Sequence, residues 1–352
     1  MKLKWKAILD HYLIEGLSGM ALGLFATLIV GLIIKQLGML TGLEFLVWMG
    51  TFASVLTGAG IGIGVAHKFK AKPLVLYASA VSGFIGGYAK FILSGDSFSD
   101  GAVVLIGPGE PLGAFIAAVV GIEVGRRVVG KTKMDMVLTP MAVIVTGGGA
   151  GLLIGPYISA FMAGIGTVII VATDQAPFVM GMLVSTLMGM LLTMPISSAA
   201  LSIILGLNGL AAGAATVGCS TQMVGFSVDI YRENNTSCLI AQCLGSSMIQ
   251  LPNIVRNTRI WIQNTLASAI LGPISTMVFK MTNNAYGGGM GTSGLVGQLM
   301  TWQNMSMERS PALLAVQIIM LHFVLPAGLT LLISEFMRKK QWIRLGDMTL
   351  ES

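Results

Sequence analysis

Six side chains in this sequence combine hydrogen-bonding chemistry with a break in an apolar run: Glu110, Ser197, Asn208, Gln222, Asn253 and Asn283. Glu110 stands in Gly107-Pro108-Gly109-Glu110-Pro111, where two glycines and two prolines forbid a regular helix. A broken segment bares backbone N–H and C=O groups, and the carboxylate can accept hydrogen bonds from ligand hydroxyls. The plainer alternative puts this loop at the outer interface, with Glu110 in water. Ser197 belongs to Pro195-Ile196-Ser197-Ser198, a helix break carrying two hydroxyls. Asn208 divides the long run 201–228, and Gln222 sits among small and hydroxylated residues in 217–225, a composition suited to a wet pocket. Gln250, Pro252 and Asn253 make another break, and Asn283 opens an uncharged glycine-rich tract, 283–294. Amides donate and accept, which suits a neutral polyhydroxy solute better than an ion. Any one of these groups could instead bond helix to helix within a bundle; as a set they resemble the broken-helix core of a transporter.

Catalytic and metal-binding patterns are absent from the sequence. His11, His67 and His322 lie far apart, and there is no H-E-x-x-H, no G-x-x-x-x-G-K-[ST] and no G-x-S-x-G. Cys219, Cys238 and Cys243 make neither a disulfide framework nor a C-x-x-C pair and read as small helix residues. We therefore expect no metal, cofactor or catalytic residue. Glu123 precedes Arg126 by three residues, the spacing of an ion pair; Lys90 and Lys280 fall at span ends, and Asp174 reads as a loop residue.

The elements that position these groups must sit in lipid. Of 352 residues 54% are apolar and 10% charged, against about 25% in soluble domains, and the mean hydropathy is +0.83. Between Asp174 and Asp229 no Asp, Glu, Lys or Arg occurs. The net charge of +6 marks no nucleic-acid surface, because the basic residues cluster at the ends of apolar runs. The expected fold is an all-α polytopic membrane helix bundle: one integral permease-like domain over 1–352 with no separate soluble domain. Eleven apolar runs qualify as spans: 16–34, 45–66, 73–93, 102–122, 137–154, 157–172, 178–194, 201–228, 238–255, 260–279 and 311–334. The first follows a basic start without a small-residue cleavage site, so it reads as a span and not as a signal peptide.

Topology follows from the basic clusters, which are Lys2/Lys4/Lys6, Lys68/Lys70/Lys72, Arg126/Arg127/Lys131/Lys133 and Arg338/Lys339/Lys340/Arg344. They put both termini in the cytoplasm, with the acidic loop of Asp96 and Asp100 outside. An even number of crossings then requires about ten transmembrane helices plus re-entrant or broken segments. Gly147, Gly151 and Gly155 make a smooth packing stripe, as do Gly19 with Gly23, Gly83 with Gly87, and Gly209 with Gly213. Gly58, Gly60, Gly62 and Gly64 predict a bent or unwound stretch, and 283–294 a re-entrant loop, a gate or a plain solvent loop. A faint echo between 56–64 and 210–218 hints at two related halves.

Several stretches carry a family resemblance. They are Gly155-Pro156-Tyr157-Ile158-Ser159, Leu192 to Ala200, Gly209 to Cys219, Gln250-Leu251-Pro252-Asn253-Ile254-Val255 and Leu271-Gly272-Pro273-Ile274. The chain resembles the enzyme IIC-type membrane proteins of the phosphotransferase system, in the perfringolysin O regulator-like branch. The resemblance implies a sugar or polyol permease of the bacterial plasma (inner) membrane. In the glucose-type branch a G-x-x-E-P motif gives its carboxylate to the sugar, and Gly107, Glu110 and Pro111 match it, though in the N-terminal third and not the C-terminal half. No phospho-accepting domain is present, so phosphorylation would need separate phosphotransferase subunits. A homodimer is expected. The alternatives are a membrane sensor that regulates gene expression through a partner, and an ion-coupled organic-solute carrier.

Overall fold

A backbone surrounded by lipid satisfies its N–H and C=O groups within a helix, so long uncharged runs become helices. The computed structural model of the chain describes residues 10–95, 98–99, 102–105 and 107–350. Lys2, Lys4, Lys6, Asp96 and Asp100 lie outside the described residues. Helices dominate; the two-residue strands β1 (Phe98–Ser99) and β2 (Ala102–Val103) pair antiparallel. Among the described residues Gly16–Met39, Asp135–Ile158 and Pro311–Lys339 are each long and apolar enough to cross a membrane. The pair Glu44–Val55 and Thr57–Lys68, bent by 53°, adds a fourth if it counts as one span. The chain is thus an all-α membrane protein, and its residues divide into two compact units, up to Met162 and from Ala163 onward.

The first unit contains α1 (Gly16–Leu24), α2 (Val30–Thr41), α3 (Glu44–Val55), α4 (Thr57–Lys68), α5 (Pro73–Gly87), α6 (Ala89–Ser94) and α7 (Pro111–Val128). A π turn at Phe25–Ile29 joins α1 to α2. Unwinding over Gly58, Gly60, Gly62 and Gly64 does not occur: α4 runs regularly through all four, and the bend lies before them, at Leu56. The spacing makes two smooth faces in place of one. Gly60 and Gly64 abut the backbone of Gly23 and Gly19 on α1, while Gly58 and Gly62 abut Gly83 and Ser79 on α5. A Cβ at any of the four would collide with a carbonyl oxygen, so close packing on both sides offsets the poor helix propensity of glycine.

The helical run α8 (Asp135–Thr173) carries Pro140 and Pro156 inside it and contains the boundary between the units. Two spans, 137–154 and 157–172, were expected there; the apolar stretches fall at Asp135–Ile158 and Gly164–Thr173, and the helix does not end at Pro156 itself. A proline forfeits one hydrogen bond, whereas stopping in lipid would expose several groups.

The second unit contains α9 (Pro177–Thr193), α10 (Ser198–Ile204), α11 (Gly209–Asp229), α12 (Thr236–Ile240), α13 (Leu251–Arg256), α14 (Ile262–Pro273), α15 (Ala285–Gly288), α16 (Val296–Met305), α17 (Pro311–Ile319) and α18 (Leu325–Lys339). The expected span 238–255 is not one helix. After α12 and a π turn the chain is extended at Ser246, whose hydroxyl caps Met248 N at 3.1 Å. The run 201–228 likewise divides between α10 and α11, with Asn208 at the break. Helix α11 is the axis of the unit and is buried from Ala212 to Ser227. Its glycines permit this crowding: Gly218 meets the Ser185 carbonyl of α9, and Gly213 meets that of Met281.

Candidate functional site

Each unit holds candidate residues. In the first, Glu110 is the residue before α7, with Pro111 opening the helix. Its backbone N–H donates to Gly87 O at 2.7 Å, and the Tyr88 hydroxyl donates to the carbonyls of Gly107 and, at 3.2 Å, of Val55. Gly109 has φ +74, and a side chain there would strike the Gly87 carbonyl. The G-x-x-E-P turn is therefore tied to the end of α5, and it presents the half-buried Glu110 at the start of α7. Glu123 pairs with Arg126 at 3.1 Å, as the spacing predicts.

In the second unit, polar side chains gather around α11. The Gln222 Oε1 accepts from the Trp261 indole N–H at 3.1 Å and from the Thr193 hydroxyl at 3.3 Å; Thr193 and Ser247 share a bond of 2.8 Å. Gln222 is fully buried, yet its Nε2 has no partner among the described residues. On the opposite side of α11, the Gln298 amide donates to His322 Nδ1 at 3.2 Å and reaches Ser220 Oγ at 3.4 Å. With Nδ1 accepting, the imidazole carries its proton on Nε2. That N–H and Gln298 Oε1 have no partners among the described residues, and neither do both amide atoms of Asn264, beside Gly225 and Thr330. Buried polar groups are nearly always hydrogen-bonded, so this concentration is unusual. The groups are neutral, and unpartnered N–H and C=O groups are the donors and acceptors that solute hydroxyls can engage.

The remaining expected residues are used otherwise. Asn283 is buried and its amide donates to Thr216 Oγ1 (2.8 Å), Thr301 Oγ1 (2.9 Å) and Gly297 O (3.0 Å), stapling α11 to α16. The tract it opens folds into α15 and a 3-10 turn, Ser293–Leu295, with Gly291 before the turn and Gly294 within it at positive φ; most of it is buried, so it is no plain solvent loop. Asn208 is exposed and donates to Gly206 O at 2.7 Å. Ser197 is half-buried in the turn before α10. Asn253 donates to Gln250 Oε1 and to Thr349 O, both at 2.9 Å, and so helps to hold the C-terminal segment. That segment is fastened further: Gly346 N and Met348 N each donate to Glu233 Oε2 at 3.0 Å, and Gln250 donates to Met348 O at 3.2 Å.

Sequence reasoning passes over Gln298, His322 and Asn264. One signal was present: His322 is an ionisable residue inside the long apolar run 311–334, and such residues are functional candidates by default.

A family model described as phosphotransferase system, EIIC matches residues 14–350. No curated protein and no solved structure matches the chain.

Proposed function

The chain belongs to the phosphotransferase system EIIC family, and we propose that it translocates a neutral sugar or polyol held by the buried amides and imidazole around α11. Membership makes it a membrane-integral permease of the bacterial cell membrane whose substrate is a sugar; neither the sensor nor the ion-coupled reading is favoured. The observation that supports a hydroxylated solute is the buried Gln298–His322 pair, which leaves one acceptor, Gln298 Oε1, and one donor, His322 Nε2–H, without partners among the described residues. Gln222 supplies a third neutral group with a spare N–H. We keep Glu110 as a candidate contact belonging to the first unit, on the strength of its G-x-x-E-P turn. Asn208, Ser197, Asn253 and Asn283 are proposed as the frame of the broken helices, more than as direct contacts.

We also read the two units as one integral membrane domain of ten spans with both termini cytoplasmic, in the perfringolysin O regulator-like branch, assembling as a homodimer and served by separate phosphotransferase subunits. The test is uptake by proteoliposomes offered a panel of sugars and polyols. Accumulation of one that requires a phosphoryl donor and partner subunits supports the proposal. Accumulation driven by a proton gradient alone, or no uptake of any of them, contradicts it.

A further inference from the structure

Away from the polar core, a cleft of about 300 Å³ opens where α13 gives way to the next turn. Arg256, Asn257 and Arg259 line one wall, and Gln341, Trp342 and Arg344 from the C-terminal segment line the other. Three arginines thus line one cleft. Asp347 also lines it, but its Oδ2 already accepts from Asn257 Nδ2 and from Arg344 N, each at 2.8 Å. Among the described residues neither Arg259 nor Arg344 has a carboxylate partner. Like charges held together raise the local potential and concentrate counter-anions.

The walls are not loosely placed. Beneath them Ile343 and Met348 are buried against Phe226, Ile230, Ile254, Ile260 and Met337. Asn257 Nδ2 also lies 3.5 Å from Trp342 O, across the seam. The arginines therefore project from a fixed frame. Guanidiniums present paired N–H donors that match phosphate oxygens, and the volume falls at the low end of small-ligand pockets. Trp342, 44% exposed, adds an aromatic face at the rim.

We infer that this cleft binds a small phosphate-bearing anion, which bridges the 256–259 turn to the C-terminal segment and clamps that segment down. The inference stands apart from the sugar site around α11. Because α18 ends at Lys339, next to the cleft, the phosphate could come from solution or from a lipid headgroup.

Equilibrium binding of inorganic phosphate to the detergent-purified full chain tests the first source. Binding should saturate, weaken about tenfold in Arg259→Gln or Arg344→Gln, and vanish in the double variant. Arg344→Lys, which keeps the charge and loses the fork, should fall between. Lys339→Gln, an equal loss of charge on an exposed neighbouring turn, should bind as the parent does. Phosphate should also slow amide hydrogen exchange over 343–350 in the parent and not in the double variant, a readout that a general loss of charge would not move. Vesicles of phosphatidylglycerol against phosphatidylcholine test the second source. Preferential retention of the anionic lipid by the parent over the double variant, without binding of free phosphate, keeps the site and assigns it to the headgroup. If neither phosphate nor anionic lipid distinguishes the parent from the double variant, the inference is wrong.

Discussion

Gln298 and Asn283 are both buried amides of the second unit, and they should respond differently to truncation. Asn283 spends its amide on three internal acceptors. Asn283→Ala leaves those groups unpaired and should cost about 1–3 kcal/mol of stability, measured as a lower thermal midpoint in detergent. Gln298 has an oxygen without a partner, but its amide donates to buried His322, so Gln298→Leu should also lower the midpoint and, unlike Asn283→Ala, weaken sugar binding about tenfold. A Gln298→Leu variant that binds sugar normally would reverse these assignments. The sequence made Gln222 conspicuous through its small, hydroxylated neighbours, and the structure places it in a polar cluster. It hid the Gln298–His322 pair, whose members are 24 residues apart and meet only because α16 returns beside the π turn at Met320–Val324. Spacing along the chain shows groups that share one helix face; it is silent about groups on different helices.

At the scale of elements, glycine spacing separates packing from flexibility. The run 58–64 looked breakable because each glycine weakens a helix, yet α4 survives because both its faces lie against carbonyls of α1 and α5. Gly64→Val should drive those helices apart and cost about 1–3 kcal/mol or more, read as a loss of folded protein on size exclusion. Gly149, with open space around its Cβ position, should accept the same substitution. The C-terminal segment offers a second test. The Glu233 side chain is 1% exposed, pairs with Arg338 at 2.9 Å and receives two backbone N–H groups of the segment. Glu233→Ala strands a partly buried guanidinium and frees those amides, a change costing about 3–5 kcal/mol where the charge is buried. Hydrogen exchange over 346–350 should rise sharply; unchanged protection would show that apolar contacts alone hold the segment. None of this docking was legible beforehand, because so short a segment has no periodicity, and its partners, Glu233 and the amides of Gln250 and Asn253, lie far away in the chain.

For the molecule as a whole, composition alone identified a helical membrane protein, since so little charge cannot cover a soluble surface. The boundaries of its spans were less legible: Pro156 does not stop α8, while the apolar run 238–255 breaks at Ser246. Hydropathy averages over a window and does not register where one hydroxyl or one extended residue interrupts the ladder. Ten spans with cytoplasmic termini predict that cysteines introduced at Lys70 and Arg344 react with a membrane-impermeant reagent from the same side, and that one at Val103 reacts from the other. The most direct test of the central claim is a structure determined with the transported sugar bound. The account predicts sugar density within hydrogen-bonding distance of Gln298 and His322, or of Gln222. Density elsewhere, with those amides unchanged and still partnerless, would contradict it.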